Sequence, residues 1–308
     1  MASVKLSDMM KKRQLLSFEL FPPKTDRGMA NLSETIQQLC RYKPEYISVT
    51  YGAGGGNVGA NREVCRMVRN AGTVPVTHFT VIRNTKQGIR EQLETYLKEG
   101  VDHILALRGD FPRGETSTGG DFNYATDLVK FIRDEFGEQF EIAVAGSPEG
   151  HISCRSLEAD IGVLKMKQDN GADYIMTQVC WDMEQFERWL DKIRRAGVTL
   201  PVDVGIMPIL DQAATINMAL SRNGCVMDRE LSRLISKYWI FPNPFDKAPF
   251  DDSLEQKKAD FKKAGIEYTI RQIDKYRSLG VEGIHLYAMN KWKDVSQIIE
   301  RSGIRTLI

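Results

Sequence analysis

The chain has 308 residues, of which 42% are hydrophobic and 27% charged, and its formal net charge is +1. This is ordinary globular composition with ample length for a buried core, and the near-neutral total does not indicate a nucleic-acid-binding face. Five cysteines without a C-x-x-C pair argue against a disulfide framework or a zinc ribbon and favour a reducing compartment. Neither a signal-peptide core nor an apolar run of about 18 residues occurs, so we expect a cytoplasmic protein without a membrane span.

Short apolar segments rich in β-branched residues recur eight times, and polar segments with helical spacing lie between them. The first segment, LLSFELF, carries a single carboxylate, Glu19, and ends at Pro22 and Pro23. The predicted strands, in chain order, cover residues 15–21, 46–51, 75–81, 103–109, 141–147, 174–181, 201–208 and 283–289.

The segments between these strands have the pattern of amphipathic helices. After the first strand, Leu32, Ile36 and Leu39 fall on one helical face. Later helices end at Gly100 and Gly197, which are natural C-terminal caps. Eight strand–helix units of about 30 residues predict a single-domain α/β fold over residues 1–308, a (β/α)₈ or TIM barrel. A doubly wound open sheet is the competing architecture.

One region interrupts the strand–helix alternation before the last strand. Residues 221–265 form a predicted insertion between strands seven and eight, with a high density of aromatic residues and proline. This composition favours a packed loop over a linker. An ordinary barrel insertion, a lid and a subunit contact are the alternatives for its role.

Polar residues occur at the carboxyl ends of the predicted strands, where the active site of a barrel lies. If the sheet closes, these groups converge on one mouth. They are Glu19, Thr50, His78, Arg108, Gly109, Asp110, Ser147 and Gln178.

Glu19 and Asp110 are the two carboxylates of this set. Glu19 lies between Phe18 and Phe21, and loss of hydration there should raise its pKa and let it act as a proton donor. Asp110 follows Arg108 in a more polar stretch, which favours a fixed negative charge. The alternative for Glu19 is a salt-bridged structural carboxylate at the end of the barrel.

Several short motifs support other functions only weakly. GAGGGNVG contains G-x-G-x-x-G at Gly54, Gly56 and Gly59, but no acidic residue follows about 20 residues later, so a glycine-rich loop at the mouth is favoured over a dinucleotide fingerprint. No H-E-x-x-H pair occurs, and no metal is predicted. Lys165 and Lys167 lie in the predicted helix after strand five. They belong either to a solvated charged face of that helix or to a site for a phosphate group.

Five motifs occur in the order seen in methylenetetrahydrofolate reductases: SFELFPPKT, YISVTYGA, HILALRGD, VAGSPEGH and MTQVCWD. The chain resembles that family from about residue 15 to residue 293. The resemblance implies a flavin-bearing barrel that reduces 5,10-methylenetetrahydrofolate to 5-methyltetrahydrofolate. NADH or NADPH would give a hydride to flavin N5, normally of FAD, and folate would then replace the nicotinamide in a ping-pong sequence.

The resemblance also implies roles for individual residues. Glu19 matches the general acid that protonates folate N10, Asp110 the aspartate that binds the pterin beside the flavin, and Gln178 a glutamine that hydrogen-bonds the folate. Gln212 and Lys291 fall near further substrate-contacting positions. The implied cofactor-binding residues are Thr50, His78, Arg108, Gly109, Asp110, Tyr124, Ala125, Ser147, His151, Asp160 and Lys167.

Some positions depart from the family pattern. Ser147 replaces a tyrosine beside the flavin, and Lys291 replaces an arginine. Gln212 falls where an aromatic residue is common. Ile152, Val163 and Met166 also differ from the usual residues. These differences leave FMN open as an alternative to FAD and leave open an altered electron donor.

The resemblance and its departures leave three functions to compare. The first is the folate reductase, which we expect to be a homo-oligomer with no nucleic-acid or membrane partner. The second is a folate- or flavin-binding subunit of a larger reductase that takes electrons from a partner protein. The third is another barrel enzyme such as a pterin-dependent methyltransferase, which needs no flavin.

Overall fold

The computed structural model describes residues 5–51, 58–111, 114, 117–221, 223–240 and 254–307, except the side chain of Val58. Most of the glycine-rich motif, including Gly54 and Gly56, lies outside the described residues. So do residues 222 and 241–253 of the predicted insertion.

Eight parallel strands form a closed barrel in which each strand pairs with its neighbours in chain order and the last pairs with the first. The prediction of a (β/α)₈ barrel is therefore confirmed. The strands are β1 (Leu15–Leu20), β2 (Tyr46–Val49), β3 (Val74–Thr80), β4 (His103–Leu107), β5 (Glu141–Gly146), β6 (Tyr174–Thr177), β7 (Val202–Ile206) and β8 (Gly283–Tyr287).

Helices follow the strands and surround the barrel, as the amphipathic segments predict. The C-terminal caps predicted at Gly100 and Gly197 have positive φ angles of 73° and 80°, a backbone conformation that glycine adopts without strain. The helices are α1 (Leu6–Met10), α2 (Asp26–Cys40), α3 (Val58–Asn70), α4 (Lys86–Lys98), α5 (Ala125–Phe136), α6 (Leu157–Asp169), α7 (Met183–Arg195), α8 (Gln212–Leu220), α9 (Arg229–Lys237), α10 (Leu254–Ser278) and α11 (Trp292–Ser302).

Side chains alternate between the two faces of the sheet, and this alternation separates the main core from the barrel interior. In β1, Leu16, Phe18 and Leu20 point outward and join the large cluster between the barrel and its helices. Ser17 and Glu19 point inward. A polar residue in an apolar strand of this fold therefore indicates a position inside the barrel.

The amino-terminal end of the barrel is closed by a short helix and apolar side chains. Leu6 and Met10 of α1 pack against Leu15, Tyr46 and Tyr174 in a second apolar cluster. This plug leaves the carboxyl ends of the strands as the open face of the barrel.

The segment predicted as an insertion contains helical structure where it is described. It includes α9 and the first part of α10, and its apolar residues Leu231, Ile235 and Phe261 pack with Trp181 in a third cluster. None of the helices that the structure describes combines the length and the apolarity needed to cross a membrane.

Candidate active site

Glu19 lies inside the barrel near the open end, where β1 pairs with β2 and β8. Its partners in the sheet are Ser48 on β2 and Tyr287 on β8. The side chain is buried, and its Oε2 lies 3.3 Å from His78 Nε2 of β3 and 3.8 Å from His285 Nε2 of β8. The carboxyl group therefore sits between two imidazole rings supplied by different strands.

The charge environment of Glu19 differs from the one expected from its apolar neighbours. Burial by itself raises the pKa of Glu19, but the imidazoles of His78 and His285 outweigh burial and bring the pKa down to about 2. The prediction of a raised pKa is wrong for this reason. The two imidazoles therefore favour the carboxylate form of Glu19.

Two buried polar atoms near this carboxylate have no hydrogen-bond partner within the described part of the chain. They are His78 Nε2, whose 3.3 Å contact with Glu19 is an ion pair without hydrogen-bond geometry, and Thr80 Oγ1, two residues further along β3. Buried polar atoms are usually paired. Both belong to side chains on the inward face of β3, so they offer a donor and an acceptor to a molecule bound at the mouth.

The loop after β4 places a cation and an anion at the rim. Arg108 is half-buried, and its guanidinium lies 4.5 Å from the centre of the Phe111 ring. Gly109 has φ +85°, and a Cβ there would lie 2.7 Å from Ile82 Cγ1, so glycine is required. Asp110 is exposed, as its polar surroundings in sequence suggest.

Strand β5 and helix α6 contribute a second charged group of residues. Lys167 Nζ donates a hydrogen bond to the carbonyl of Ala145 (2.7 Å). Burial lowers the pKa of the Lys167 ammonium, and Asp160 in the first turn of α6 opposes that shift. Ser147 is half-buried directly after β5, whereas His151 is exposed in the β5–α6 loop.

The remaining predicted cofactor-binding residues lie at the beginnings of helices or ends of strands. Tyr124 precedes α5 and is exposed, and Ala125 is the first residue of that helix. Thr50 follows β2, and its backbone N–H donates to the carbonyl of Leu20 (3.1 Å). Both sites are on the mouth side, because a helix that follows a barrel strand begins there.

The predicted substrate-binding residues differ in their placement. Gln178 is half-buried directly after β6, and its Oε1 accepts the N–H of Val179 (2.8 Å). Lys291 is exposed at the start of α11.

Gln212 requires a correction, because its side chain is buried and its amide is engaged within the protein. Gln212 Nε2 donates to the carbonyls of Ile235 and Tyr238 (both 3.0 Å), and its Oε1 accepts the N–H of Ile240 (3.2 Å). The prediction that Gln212 contacts substrate is not supported, since these bonds join α8 to the end of α9.

Two residues of this region are not among the site residues that the sequence predicts. His285 is fully buried next to Glu19, and Asp203 of β7 lies deeper in the barrel. The available signal was the same one that identified Glu19, a polar residue on the inward face of an apolar strand. The sequence does not indicate roles for His285 and Asp203, because the residues that they contact, Ser17 and Glu19, are distant from them in sequence.

The fold and the site define a (β/α)₈ barrel with a buried carboxylate–imidazole group at its open end and charged residues around the rim. The methylenetetrahydrofolate reductase family model matches residues 5–235. The chain therefore belongs to the methylenetetrahydrofolate reductase family, as the motifs indicate.

Relatives from three kingdoms are similar along the chain. Methylenetetrahydrofolate reductase 1 of Schizosaccharomyces pombe is 32% identical over 96% of this chain, and methylenetetrahydrofolate reductase (NADH) 1 of Arabidopsis thaliana is 32% identical over 94%. The chain spans about half the length of these two relatives (47% and 48%). The 5,10-methylenetetrahydrofolate reductase of Escherichia coli is 30% identical over 94% of this chain and 91% of its own length.

A solved structure has the same fold at low sequence identity. It is an uncharacterised protein from Clostridium thermocellum described as binding two copies of 5-methyl-5,6,7,8-tetrahydrofolic acid. Its TM-score is 0.60 at 12% identity, and the match covers 97% of this chain and 99% of that one. At this identity the likeness concerns the fold alone.

Proposed function

We propose that this protein reduces 5,10-methylenetetrahydrofolate to 5-methyltetrahydrofolate with NADH or NADPH as the electron source and a flavin, FAD or FMN, as cofactor. Membership of the family supports this activity, as does the match to nearly the full length of the E. coli reductase. The observation that carries the proposal is Glu19, which is buried at the barrel mouth between His78 and His285.

The residues at the mouth fit a flavin. His78 Nε2 and Thr80 Oγ1 are buried without hydrogen-bond partners among the described residues, as groups that bind a polar ring system would be. Arg108 and Lys167 supply cations for phosphate groups, and Asp160 an acceptor for a ribose hydroxyl. Bound there, the flavin would supply hydride chemistry, accepting a hydride from the nicotinamide and passing it to the folate.

The chemistry left to the protein is proton delivery and charge stabilisation. Opening the five-membered ring of the folate needs a proton at N10 and leaves a positive charge on the N5 iminium group. Glu19 is the group that would hand over this proton, and the ring nitrogens beside it are sites from which Glu19 can receive it. Asp110 at the rim would favour the iminium through its negative charge.

Gln178 and the rim residues would orient the pterin. The amide of Gln178 now bonds to the backbone of Val179, and rotation of the side chain would free it for the pterin ring. Lys291 would lie near the glutamate tail, as its exposed position after β8 allows.

The first test is the absorption spectrum of freshly purified protein, followed by release and identification of any flavin. A yellow protein that NADH or NADPH bleaches and that methylenetetrahydrofolate reoxidises is the expected result. A protein that binds no added flavin and does not reduce the folate would overturn the proposal. A flavin-free protein that still reduces the folate would retain the reaction but transfer hydride directly.

The same measurement separates the proposal from a role as a subunit that depends on another protein. If the isolated chain turns over, no partner is required to supply electrons. If the chain binds flavin and folate but turns over only after addition of a redox partner, the activity belongs to a complex.

A further inference from the structure

A carboxylate without an assigned role lies deep in the barrel beneath Glu19. Asp203 is fully buried on the inward face of β7. Its Oδ2 accepts hydrogen bonds from the hydroxyls of Tyr46 (2.7 Å) and Ser17 (3.0 Å). Its Oδ1 has no partner within the described residues. On the adjacent strand, Gly283 leaves the space that Asp203 fills, because a Cβ there would lie 2.5 Å from its Cγ.

Ser17 connects Asp203 to His285. Strand pairing sets Ser17 beside His285, and Ser17 Oγ lies 2.7 Å from the ring Nδ1. Since the Ser17 hydroxyl donates its proton to Asp203, its oxygen accepts from Nδ1–H. This order of donors leaves Nε2 of His285 on the side of Glu19 (3.8 Å) and Ser48 (3.2 Å).

Other contacts hold the imidazole in this orientation. The Tyr46 ring stacks on His285 with a centroid distance of 5.6 Å and an interplanar angle of 18°. Tyr287 approaches it edge-on, also at 5.6 Å. The ring is thus packed on its flat side and edge, and both nitrogens face polar atoms from neighbouring strands.

The carboxylate at the base of this arrangement costs stability. Burial raises the pKa of Asp203 to about 6, although His285 and the hydroxyls of Tyr46 and Ser17 oppose the shift. The groups that face it are Ser17 of β1, Tyr46 of β2, Tyr174 of β6, and His285 and Tyr287 of β8. The charge of Glu45, just before β2, raises its pKa further. None of these groups is a lysine or an arginine whose positive charge would neutralise Asp203. A costly buried charge that contacts a chain of hydrogen bonds toward Glu19 suggests a functional reason for its presence.

We propose that Asp203 is a positioning residue, which acts through Ser17 to orient His285 and to favour a proton on that ring for delivery through Glu19. The inference rests on the proposed function, because it assigns the source of the proton that Glu19 passes on. The arrangement is a carboxylate behind an imidazole, in which the negative charge stabilises the protonated ring. Here a serine hydroxyl lies between the two groups.

The proton balance is simple. The proton on His285 Nε2 moves to the Glu19 carboxylate, and the proton of the Glu19 carboxyl moves to folate N10. The bond from N10 to the methylene carbon breaks, its electron pair stays on N10, and the positive charge moves to the N5 iminium group. His285 is left neutral with its Nδ1–H still bonded to Ser17, and the second proton returns to its ring from solvent at the mouth by way of Glu19.

His78 is the other imidazole beside Glu19, and it differs from His285 in its surroundings. Within the described part of the chain, the carboxylate at ion-pair distance from His78 is Glu19 itself. His285 is connected to a second carboxylate, Asp203, by two hydrogen bonds through Ser17. The assignment of the proton source therefore goes to His285, and His78 is left to the cofactor.

The test compares wild type with Asp203→Asn, which keeps the shape and removes the charge. The ring signals of ¹³C-labelled histidine are titrated by NMR in the cofactor-free protein, and a His285→Gln variant identifies the His285 signal. We expect Asp203→Asn to move the midpoint of that titration to lower pH by about one unit. In the turnover assay, the rate of folate reduction should fall about tenfold at pH 7.5, with its alkaline limb shifted in the same direction.

Glu141→Gln is the matched control, since Glu141 is a buried carboxylate at the opposite end of the barrel. This variant should leave the His285 titration and the alkaline limb unchanged. Ser17→Ala interrupts the same connection and should reproduce the direction of the Asp203→Asn shifts. If Asp203→Asn does not fold, the His285 titration and the pH profile of Ser17→Ala test the inference instead.

An unchanged His285 midpoint in Asp203→Asn and Ser17→Ala would overturn the inference, whatever the activity. A shifted midpoint with an unaltered rate and pH profile of folate reduction would overturn it as well. If the wild-type protein does not reduce methylenetetrahydrofolate, the proposed function fails, and the NMR titration still shows whether Asp203 acts on His285.

Discussion

At the residue scale, the chemistry of Glu19 depends on side chains from other strands. The apolar neighbours in sequence, Phe18 and Leu20, point away from it into the outer core. The groups that touch it are His78 and His285, which bring its pKa to about 2 despite burial. In the proposed reaction, the carboxyl group would therefore pass on a proton that it first receives from an imidazole.

Replacement of Glu19 tests this role directly. In Glu19→Gln the amide cannot accept and pass on a proton, so we expect folate reduction to fall about 10²- to 10⁴-fold. Flavin content and the oxidation of NADH or NADPH should be retained, because that half of the reaction does not need the proton. Stopped-flow absorbance measures the two halves separately.

The control for this substitution is Glu141→Gln, which removes another buried carboxylate far from the mouth. Equal loss of both half-reactions in Glu19→Gln would contradict the assignment, since it would indicate general damage to the site.

Asp203 gives a second prediction at this scale, which concerns stability. Its pKa is about 6 in the folded protein against an ordinary value of 3.8, so the folded state holds a proton on it more tightly than the unfolded state does. The cost of ionising it in the fold is absent below pH 3.8, grows up to pH 6 and is complete above that. At neutral pH the cost is on the order of 3 kcal/mol.

Asp203→Asn should therefore unfold with a higher free energy than wild type at pH 7.5, by up to about 3 kcal/mol, and the gain should shrink at pH 4. Urea unfolding followed by circular dichroism at the two pH values measures this difference. A variant that is less stable than wild type at pH 7.5 would show that the carboxylate contributes to stability rather than opposing it.

At the element scale, the short helix α1 is held to the base of the barrel by a buried charged group. Glu141 at the start of β5 accepts the backbone N–H groups of Leu6 and Ser7 at 2.7 and 2.8 Å. His103 at the start of β4 lies 3.1 Å from Glu141 and 2.7 Å from Asp102. Burial alone lowers the pKa of His103, but the two carboxylates outweigh it and raise the pKa to about 9.

The contacts of His103 with Glu141 and Asp102 predict a loss of stability of the folded protein at alkaline pH. Because the folded pKa of His103 is above the ordinary 6.5, its contribution is complete below pH 6.5 and disappears as pH rises through 9. His103→Gln should cost on the order of 3 kcal/mol more at pH 6 than at pH 10. Urea unfolding of wild type and variant at both pH values gives this difference, and an equal cost at both would mean that the ring is neutral throughout.

Elements were predictable from the sequence to different extents. The eight strands and the caps at Gly100 and Gly197 followed from local periodicity and from backbone preferences. The sixth strand was predicted to run to residue 181, whereas β6 ends at Thr177. Residues 179–181 are apolar and buried, but they lie beyond the end of the strand.

The reason lies in α10, which is distant in sequence. The carbonyl of Cys180 accepts hydrogen bonds from Gln272 Nε2 (2.8 Å) and Tyr276 Oη (2.5 Å). The carbonyl of Trp181 accepts one from Tyr268 Oη (3.1 Å). Side chains of the helix thus replace the strand partners, and an apolar pattern does not distinguish these two ways of burying a chain.

At the scale of the whole molecule, closure of the barrel brings the first and last strands together. Ser17 pairs with His285, and Glu19 with Tyr287, so β8 both completes the sheet and supplies half of the imidazole pair. Without β8, the edges of β1 and β7 would be unpaired, and the main core would lose Ile284 and Leu286.

A chain truncated after residue 278 should therefore lose cooperative folding. We expect it to lack the near-ultraviolet circular dichroism of the full chain and to show no sharp thermal transition. Addition of a separate peptide covering residues 279–308 gives the complementary measurement. A truncated chain with native spectra and a cooperative transition would mean that closure is not required for the fold.

The sequence by itself determined the strand–helix alternation, the inward polar positions and the family, because these depend on local periodicity and on the order of short motifs. The tertiary structure decided the protonation of Glu19, the internal bonding of Gln212 and the connection from Asp203 to His285. The physical reason is that electrostatic energy depends on distance in space. His78 and His285 come within 3.3 and 3.8 Å of Glu19 only when the barrel is closed.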